Sequence, residues 1–441
     1  MEKFIVNGGK KLTGQIKVSG AKNVVLKALV AACLTDEEVI IENVPLISDL
    51  FTMIGIIKEL GGTAKVHDHT VMVKMETITN KKIALDKAAE VRTSSLFLAP
   101  LLARTGEALV PNPGGCRIGA RPIDRTIEGL RKMNVSITYN SKDGYFHAKT
   151  KDLLGVEYLF EKSTHTGTET MILVSVLAKG QTILRNAAQE PEIDELIEFL
   201  NLMGAQIRKT QDRTIIIDGV SKLHGGKLIV GPDRNEVVTY AIAAIITEGD
   251  ITVQGTNVKG LVDFLDALEA CGAGYEKKEN GIRFFYKREL RATNITTSYY
   301  PGFMTDWQSP WAVLMTKAHG TSVIHETVFE SRFGYVEELR KMGAHITFFN
   351  PKVKDSEKVY NFNLDKEAAS SFHAIKVYGP TQLHNAVVHI SDLRAGATLV
   401  LAALAAFGTS AIFGVEKLDR GYEAFDRCLS HLGADIKRIK E

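Results

Sequence analysis

The stretch Asn201-Leu-Met-Gly-Ala205 returns almost unchanged as Arg340-Lys-Met-Gly-Ala344. Each copy has the pattern of a helix that ends in a small residue and is followed by a strand, because glycine or asparagine beyond the last helical turn is a common helix stop. Four looser copies bring the markers to six: Gly61, Asn134, Gly204, Gly272, Gly343 and Gly433. Successive markers lie 73, 70, 68, 71 and 90 residues apart. A period of about 70 residues is typical of repeated α/β modules, each with its own helices and strands.

A second series of patterns runs in phase with the markers. Polar residues precede short helices that are apolar on nearly every side, and such helices are usually buried all round. They begin near Lys22, Arg92, Thr168, Glu236, Asp306 and Arg394. We therefore predict an α/β fold of six units, with the apolar helices at the centres of the units and the amphipathic helices outside.

The six units divide into two domains. A chain of 441 residues is longer than one hydrophobic core usually supports, and the units separate three and three near Val230-Gly-Pro-Asp-Arg234. We expect one domain of residues 21–230 and another of residues 1–20 together with 231–441. The N-terminal strand, Phe4 to Val18, is expected to pair with the second half.

The long last interval indicates an insertion. The interval from Gly343 to Gly433 exceeds the others by about 20 residues, judged against the rest as repeat units. We place the insertion near residues 350–378. Its stretch Pro351-Lys-Val-Lys-Asp-Ser-Glu-Lys358 is polar, which predicts an exposed loop.

Charge and motifs exclude several classes of function. Lysine and arginine total 54 against 52 aspartate and glutamate, so the net charge of +2 predicts no general attraction to nucleic acid. The apolar runs fall short of the roughly 20 residues that span a bilayer, and the start resembles no secretory signal, so we expect a cytoplasmic protein without membrane insertion. The four cysteines stand far apart and no metal or cofactor motif occurs, so we expect neither a metal nor a cofactor.

Cys116 lies in the glycine-rich stretch Pro113-Gly-Gly-Cys-Arg-Ile-Gly-Ala-Arg121. This composition is incompatible with a regular helix and favours a mobile, exposed loop. Arg117 and Arg121 favour the thiolate and so raise its reactivity. On composition alone, a reactive group and a stray surface cysteine are equally open. The other cysteines lie in predicted helices and are expected to be packing residues: Cys33, Cys271 and Cys428.

Several charged residues fall at turns or helix starts, where free backbone N–H groups and the helix dipole attract anions. The basic members of this set are Lys22, Arg92, Arg121, Arg332, Arg394 and Arg420. Guanidinium groups suit bidentate capture of a carboxylate or phosphate, although each alone is equally compatible with ordinary surface charge. Asp306 and Asp392 each have two interpretations, a helix cap or a partner in this chemistry.

Six stretches together resemble the enolpyruvyl transferase family, and the resemblance covers almost the whole chain. They are Ser19-Gly-Ala-Lys-Asn23, Pro113-Gly-Gly-Cys-Arg-Ile-Gly-Ala-Arg-Pro-Ile-Asp124, Asn186-Ala-Ala-Gln-Glu-Pro-Glu-Ile193, Glu326-Thr-Val-Phe-Glu-Ser-Arg-Phe333, Ser391-Asp-Leu-Arg-Ala395 and Asp419-Arg-Gly-Tyr-Glu423. The cysteine loop is the most specific of them, because the shikimate branch of the family lacks it. The resemblance implies a two-domain inside-out α/β barrel with three repeated α/β units in each domain.

The resemblance also implies roles for individual residues. Lys22, Arg121 and Arg420 resemble contacts to the phosphate of phosphoenolpyruvate. Arg332 and Arg394 resemble the basic group around its carboxylate. The remaining positions that resemble substrate contacts, most of them to a UDP-sugar, are Asn23, Arg92, Pro122, Ile123, Asp124, Arg125, Lys162, Gly167, Asp306, Val328 and Asp392.

The implied reaction transfers an enolpyruvyl group from phosphoenolpyruvate to the 3-hydroxyl of UDP-N-acetylglucosamine, a step of peptidoglycan precursor synthesis. Cys116 would protonate C3 or bond to C2, and Asp306 would accept the hydroxyl proton. The family's cysteine is also the residue that reacts with the epoxide fosfomycin. Where the family usually has Lys-Val-Ser-Val-Gly, this chain has Lys162-Ser-Thr-His-Thr-Gly167. A modified UDP-sugar or shikimate-type acceptor therefore stays open, as does a catalytically silent UDP-sugar-binding paralogue.

Overall fold

The structure is a computed structural model that describes residues 2–115, 123–364 and 371–440. Three predicted site residues, Cys116, Arg121 and Pro122, lie outside the described residues. By its internal contacts the described chain forms two units. One runs from residue 2 to Ser19 and resumes at Pro232, and the other runs from Gly20 to Gly231.

Helices and strands are interspersed along the described residues. The helices are α1 (Lys22–Ala32), α2 (Ser48–Glu59), α3 (Leu85–Glu90), α4 (Leu98–Thr105), α5 (Asp124–Lys132), α6 (His165–Ser175), α7 (Pro191–Leu202), α8 (Arg234–Ile246), α9 (Val262–Cys271), α10 (Thr305–Met315), α11 (Val336–Lys341), α12 (Ser356–Val359), α13 (Leu393–Ala405) and α14 (Phe425–His431). The strands are β1 (Glu2–Asn7), β2 (Thr13–Lys17), β3 (Glu38–Glu42), β4 (Thr63–His67), β5 (Thr70–Lys74), β6 (Glu107–Pro111), β7 (Ser136–Asn140), β8 (Tyr145–Lys149), β9 (Glu157–Leu159), β10 (Gln181–Arg185), β11 (Gln206–Lys209), β12 (Ile215–Asp218), β13 (Gly226–Ile229), β14 (Asp250–Gln254), β15 (Gly274–Lys278), β16 (Gly281–Phe285), β17 (Ile295–Thr296), β18 (Gly320–His325), β19 (His345–Phe349), β20 (Ala374–Gly379), β21 (Val387–His389), β22 (Thr409–Phe413) and β23 (Asp435–Lys440).

Each unit holds three small sheets of one plan. In the unit that begins at residue 2 the strand orders are β15-β16-β14-β2, β17-β18-β20-β19 and β21-β22-β1-β23. In the unit that begins at Gly20 they are β13-β3-β5-β4, β6-β8-β7 and β11-β12-β10-β9. Five sheets combine one parallel pair with two antiparallel pairs, and in the three-stranded sheet an isolated parallel bridge, Lys82 to Leu109, replaces the fourth strand.

The six marker residues end their helices as predicted. All six have a left-handed backbone, with φ between 68° at Asn134 and 105° at Gly61. Glycine adopts this conformation without a steric penalty and asparagine tolerates it. The marker helices are α2, α5, α7, α9, α11 and α14. The repeat seen in the sequence is thus a repeat of backbone geometry.

The six apolar helices are buried, as their composition predicts. They are α1, α4, α6, α8, α10 and α13. Every residue of α8 is buried. The second of them is composite, because a 3-10 turn at Arg92–Phe97 precedes α4. The third begins at His165, three residues before the predicted start. No helix of the described chain is both long and apolar enough to cross a membrane.

The N-terminal strand differs from the prediction. Residues 4–18 contain the last part of β1 and the whole of β2, which residues 8–12 separate. Both pair with the second half of the sequence: β1 lies antiparallel between β22 and β23, and β2 lies parallel to β14. The N-terminus therefore completes sheets whose other strands come after residue 249.

Candidate active site

Two arginines meet one carboxylate at the start of α10. Asp306, the second residue of that helix, accepts a hydrogen bond from Nη2 of Arg332 at 2.6 Å. It also accepts from Nε and Nη2 of Arg394, each at 3.2 Å. Both arginine side chains are buried, so an anionic partner is needed to offset the cost of their desolvation. The N-cap of α10 is Met304, so Asp306 is not the helix cap. Its carboxylate accepts hydrogen bonds from both guanidinium groups instead.

Asp392 is a helix cap that also lies near a buried arginine. It is the N-cap of α13, where Oδ1 accepts from the backbone N–H groups of Arg394 at 3.0 Å and Ala395 at 3.2 Å. The same oxygen lies 3.9 Å from Nη1 of Arg332. Its ion-pair partner is therefore Arg332, and its contact with Arg394 is through the backbone.

Tyr422 holds the other side of the Arg394 guanidinium. Nη1 of Arg394 donates to the Tyr422 hydroxyl at 3.2 Å, and that oxygen lies 2.7 Å from Oγ1 of Thr239 on α8. Burial acts to lower the pKa of Arg394, but the Asp306 carboxylate and Tyr422 outweigh it and raise the pKa. Arg394 is thus a fixed cation. Arg420, two residues before Tyr422, is half-buried in the turn that precedes α14.

A buried carboxylate shapes the loop that leads from β18 to Arg332. Oε1 of Glu326 accepts from the backbone N–H groups of Val328 at 2.8 Å and Phe329 at 3.1 Å, and Oε2 accepts from Oγ1 of Thr305 at 2.8 Å. Burial raises the pKa of Glu326, and the charge of Arg332 opposes this rise. Val328, a predicted contact, is therefore held in a tight turn beside the start of α10.

The start of α8 adds a second buried acid. Glu236 accepts from the backbone N–H of Ser19 at 3.0 Å. Burial and the neighbouring charge of Asp233 raise the pKa of Glu236 to about 8. Asn235 joins this helix start to α10, because its Oδ1 accepts from Nε1 of Trp307 at 3.0 Å. The starts of three core helices, α8, α10 and α13, therefore meet in this unit.

In the unit that begins at Gly20, Lys22 is the first residue of α1. Its Nζ lies 2.7 Å from Oδ2 of Asp49, and both side chains are almost fully buried. Asn23 follows it, half-buried, and Arg92 is half-buried at the start of the 3-10 turn. Lys22 is thus a cation at a core-helix start that forms an ion pair with Asp49.

The entry to the cysteine loop is anchored on α3. The backbone N–H of Gly114 donates to the carbonyl of Ala88 at 2.9 Å, and that of Gly115 donates to the carbonyl of Ala89 at 3.1 Å. A Cβ at Gly114 would collide with the Ala89 carbonyl oxygen, and Gly115 has φ +99°. Both glycines are therefore needed for this close approach, and Gly115 lies beside Arg92.

The predicted contacts that follow the loop lie at two helix starts. Ile123 is buried before Asp124, the first residue of α5. Arg125 is half-buried, and burial lowers the pKa of its guanidinium while Glu161 opposes the shift. Lys162 is half-buried in the bend before α6.

The start of α6 carries a buried ionic triad. Oε1 of Glu169 lies 2.8 Å from Nζ of Lys27 and 3.0 Å from Nε2 of His165. Burial favours the neutral form of Glu169, but His165 and Lys27 outweigh it and lower the pKa of this carboxyl. Burial and the charge of Lys27 act to lower the pKa of His165, but the Glu169 carboxylate outweighs them and raises it. Gly167 lies in this turn, and its N–H donates to Oγ1 of the N-cap, Thr164, at 3.2 Å.

Burial keeps the described thiols protonated. It raises the pKa of Cys33 to about 12 and that of Cys271 to about 11, and it raises that of Cys428. Thiolates are the nucleophilic form, so these three are poor nucleophiles. Within residues 2–115, 123–364 and 371–440, no group of three or more His, Cys, Asp and Glu could hold a metal ion.

The sequence analysis did not identify four residues that bind the charged groups or turns of the site: Asp49, Glu169, Glu326 and Tyr422. Glu326 and Tyr422 stand inside two of the stretches that carry the family resemblance, so a signal was present. Asp49 follows Ser48 at a helix start, where aspartate is common for its favourable dipole interaction. Glu169 lies in a helix whose other residues have the pattern of a buried core helix. Only its ion pairs in the structure show that it binds Lys27.

Comparisons with known proteins agree with one another. The sequence signature of the EPSP synthase (3-phosphoshikimate 1-carboxyvinyltransferase) family matches residues 6–429. The UDP-N-acetylglucosamine 1-carboxyvinyltransferase of Koribacter versatilis is 40% identical over 446 residues, which cover 100% of this chain and 97% of the relative. The enzyme of the same name from Acidobacterium capsulatum is 41% identical, and the match covers 100% of this chain and 96% of the relative.

Solved structures show the same fold. The enolpyruvyl transferase NikO from Streptomyces tendae has a TM-score of 0.86 at 23% identity, covering 100% of this chain and 99% of that one. An EPSP synthase from Acinetobacter baumannii has a TM-score of 0.74 at 15% identity, with 100% of both chains covered. The predicted α/β fold of repeated units is confirmed.

Proposed function

Since the chain belongs to the EPSP synthase family of enolpyruvyl transferases, we propose that it transfers the enolpyruvyl group of phosphoenolpyruvate to the 3-hydroxyl of UDP-N-acetylglucosamine and releases phosphate. Relatives that are 40 and 41% identical along the whole chain are named for this acceptor, whereas the shikimate enzyme is 15% identical. The product enters peptidoglycan synthesis, and we place the enzyme in the cytoplasm.

The observation that carries the proposal is the pair of buried arginines on Asp306. Guanidinium groups are the preferred partners of carboxylates when contacts must be planar and bidentate. Asp306 uses one N–H of Arg332 and two of Arg394. The carboxylate of phosphoenolpyruvate, an anion of the same shape, binds here by replacing or sharing these contacts.

This replacement also prepares Asp306 as a base. Three hydrogen bonds from two cations occupy the carboxylate oxygens of Asp306. When the substrate carboxylate takes over Arg332 and Arg394, Asp306 is released to accept the proton of the sugar hydroxyl. Substrate binding and activation of the acceptor are thereby coupled.

The phosphate group is bound by Lys22, Arg121 and Arg420. In the described chain Lys22 is paired with Asp49 at 2.7 Å, so the phosphate competes with Asp49 for the ammonium. Charge placed in advance helps most where charge develops, which in this reaction is on the departing phosphate. Lys22 and Arg420 are therefore assigned to catalysis as well as binding.

Cys116 moves the proton at C3. In the addition step the sugar oxygen bonds to C2 while the thiol gives its proton to C3, which converts the double bond to a single bond. In the elimination step the thiolate takes a proton back from C3, the double bond reforms and the C2–O bond to phosphate breaks. The same sulfur can also bond to C2 in a covalent adduct.

The nucleotide sugar is bound by a larger set of residues. On the proposed assignment these are Asn23, Arg92, Pro122, Ile123, Asp124, Arg125, Lys162, Gly167 and Val328, with Asp392 beside the arginines. The support is the placement of the described members of this set at helix starts and turns, where backbone N–H groups are available to anions.

Phosphate release tests the proposal. The purified protein is incubated with phosphoenolpyruvate and, in parallel, UDP-N-acetylglucosamine, a modified UDP-sugar and shikimate 3-phosphate. Release with the first acceptor alone is the expected result. Release only with another acceptor reassigns the substrate, and UDP-sugar binding without any release identifies a silent paralogue.

A further inference from the structure

The connection between β19 and β20 is far longer than its sheet requires. Residues 350–373 join these strands, whereas two residues join β4 to β5 and two join β15 to β16 in the equivalent hairpins. We call the described parts of this connection, residues 350–364 and 371–373, the insertion. The connection lies within the predicted range of 350–378 and ends where β20 begins, at Ala374.

Part of the insertion is a small aromatic core, whereas the stretch 351–358, predicted to be an exposed loop, contains no buried residue. Tyr360 and Phe362 are 4% and 8% exposed, and their ring centroids lie 5.1 Å apart. The ring of His373 lies 4.7 Å from that of Tyr360 and 5.1 Å from that of Phe362. The connection therefore packs against itself through these three rings.

This aromatic core contacts the end of β18. The Tyr360 hydroxyl lies 3.1 Å from Nε2 of His325, the last residue of that strand. The backbone N–H of Asn361 donates to the carbonyl of Thr327 at 2.8 Å. On its other side Thr327 is bound to Thr297, with its N–H donating to Oγ1 at 2.9 Å and its hydroxyl donating to the carbonyl at 2.5 Å.

The segment that Asn361 and Thr297 bind leads directly to Arg332. Thr327 lies within the Glu326–Phe329 turn, whose inner side is bound by the Glu326 carboxylate. Val328 belongs to the turn, and Arg332 follows it and donates to Asp306 at 2.6 Å. Glu326 therefore fixes the turn from inside the protein and the insertion fixes it from outside.

We propose that the insertion is a positioning element for the reaction, which holds the Glu326–Phe329 turn through Tyr360 and Asn361 and so sets where Val328 and Arg332 meet the substrates. The inference rests on the proposed function, because that function assigns Arg332 to the carboxylate of phosphoenolpyruvate. The insertion contributes no atom to the substrates and acts only through the turn.

Tyr360→Phe tests this role, because it keeps the packed ring and removes only the hydroxyl that meets His325. We expect the KM for phosphoenolpyruvate to rise three- to tenfold, as expected for loss of a buried hydrogen bond worth about 1 kcal/mol. We expect kcat to change less than KM. Amide hydrogen exchange in residues 326–333 should become faster in the variant without any substrate.

Tyr378→Phe is the matched control, since Tyr378 lies on β20 of the same sheet and its hydroxyl accepts from Oγ1 of Thr347 at 3.4 Å, away from the turn. It should leave both KM and exchange at 326–333 unchanged. Unchanged exchange in Tyr360→Phe, or faster exchange with an unchanged KM, overturns the inference. If the wild-type protein releases no phosphate, the proposed function fails, and the exchange comparison still decides whether the insertion holds the turn.

Discussion

Arg394 donates to Asp306 from both Nε and Nη2, at 3.2 Å each, and so joins the start of α13 to the start of α10. Two parallel N–H groups meet one carboxylate oxygen, Oδ2, which leaves Oδ1 for Arg332. The contact makes one acid responsible for the orientation of two cations. Its consequences for binding, proton transfer and stability can be separated by the substitutions that follow.

Arg394→Lys should weaken phosphoenolpyruvate binding. Lysine keeps the charge but loses the planar pair of donors, so we expect the KM for phosphoenolpyruvate to rise about 10- to 100-fold, as for a charged hydrogen bond worth about 1.5–3 kcal/mol. The matched control is Arg283→Lys, because Arg283 contacts Asp250 in the same manner on the surface. If the two variants have the same KM for phosphoenolpyruvate, Arg394 does not bind the substrate carboxylate.

Asp306→Asn should separate catalysis from binding. The amide cannot accept the hydroxyl proton, so kcat should fall by about 10²- to 10⁴-fold. Because Asp306 competes with the substrate for two arginines, the Kd of phosphoenolpyruvate should stay the same or fall. Single-turnover phosphate release and calorimetry measure the two quantities, with Asp250→Asn as the control. A near-normal kcat would contradict the assignment of Asp306 as the base.

Cys116→Ser should reduce turnover and abolish alkylation by fosfomycin. The other three thiols are held protonated by burial, so Cys116 is expected to be the only cysteine that this epoxide modifies. Mass spectrometry of the intact protein and its peptides locates the adduct, and the matched control is Cys428→Ser, which should be modified like the wild type. Undiminished labelling of the Cys116→Ser variant would assign the reaction to another thiol.

Glu236→Gln should change how stability depends on pH. The folded-state pKa of Glu236 is raised from 4.5 to about 8, so the folded protein holds a proton that the unfolded chain releases. Its contribution to stability is therefore full below pH 4.5 and declines as the pH rises from 4.5 through 8. Glutamine does not titrate, so the Tm of the variant relative to wild type should increase across this range. A pH-independent difference in Tm would contradict the raised pKa.

Glu169→Gln should destabilise the protein through Lys27, whose buried ammonium would lose its carboxylate. Breaking a buried ion pair typically costs about 3–5 kcal/mol, whereas the exposed pair of Glu157 with Arg185 should contribute about 0–1 kcal/mol, which makes Glu157→Gln the control. Urea unfolding measures both free energies of unfolding.

The same variant makes a prediction about pH. The pKa of Glu169 is lowered, so its contribution is present above pH 4.5 and is lost as the pH falls through the lowered value. The pKa of His165 is raised, so its contribution is full below pH 6.5 and is lost as the pH rises through the raised value. The difference between wild type and Glu169→Gln should therefore be largest between about pH 4.5 and 6.5. A constant difference from pH 4 to 9 would show that the triad does not titrate in this way.

The sequence by itself determined the repeat, because its signals are local. A glycine or asparagine in the left-handed conformation ends each marker helix without help from distant residues, as at Gly343 and Asn134. A helix such as α8, apolar on every side, is stable only when it is buried. The insertion was also visible in the spacing, although its aromatic core was not.

The tertiary structure alone decided the pairings and what burial does to them. Arg394 and Asp306 are 88 residues apart in the sequence. Glu169 and Lys27 are also distant in the sequence and lie on different helices, and no local pattern connects either pair. The pKa of an acid such as Glu236 depends on the water removed and the charges placed around it, and both are set by packing. Local backbone preference thus specifies the modules, and the charges that do chemistry acquire their partners only when the modules pack together.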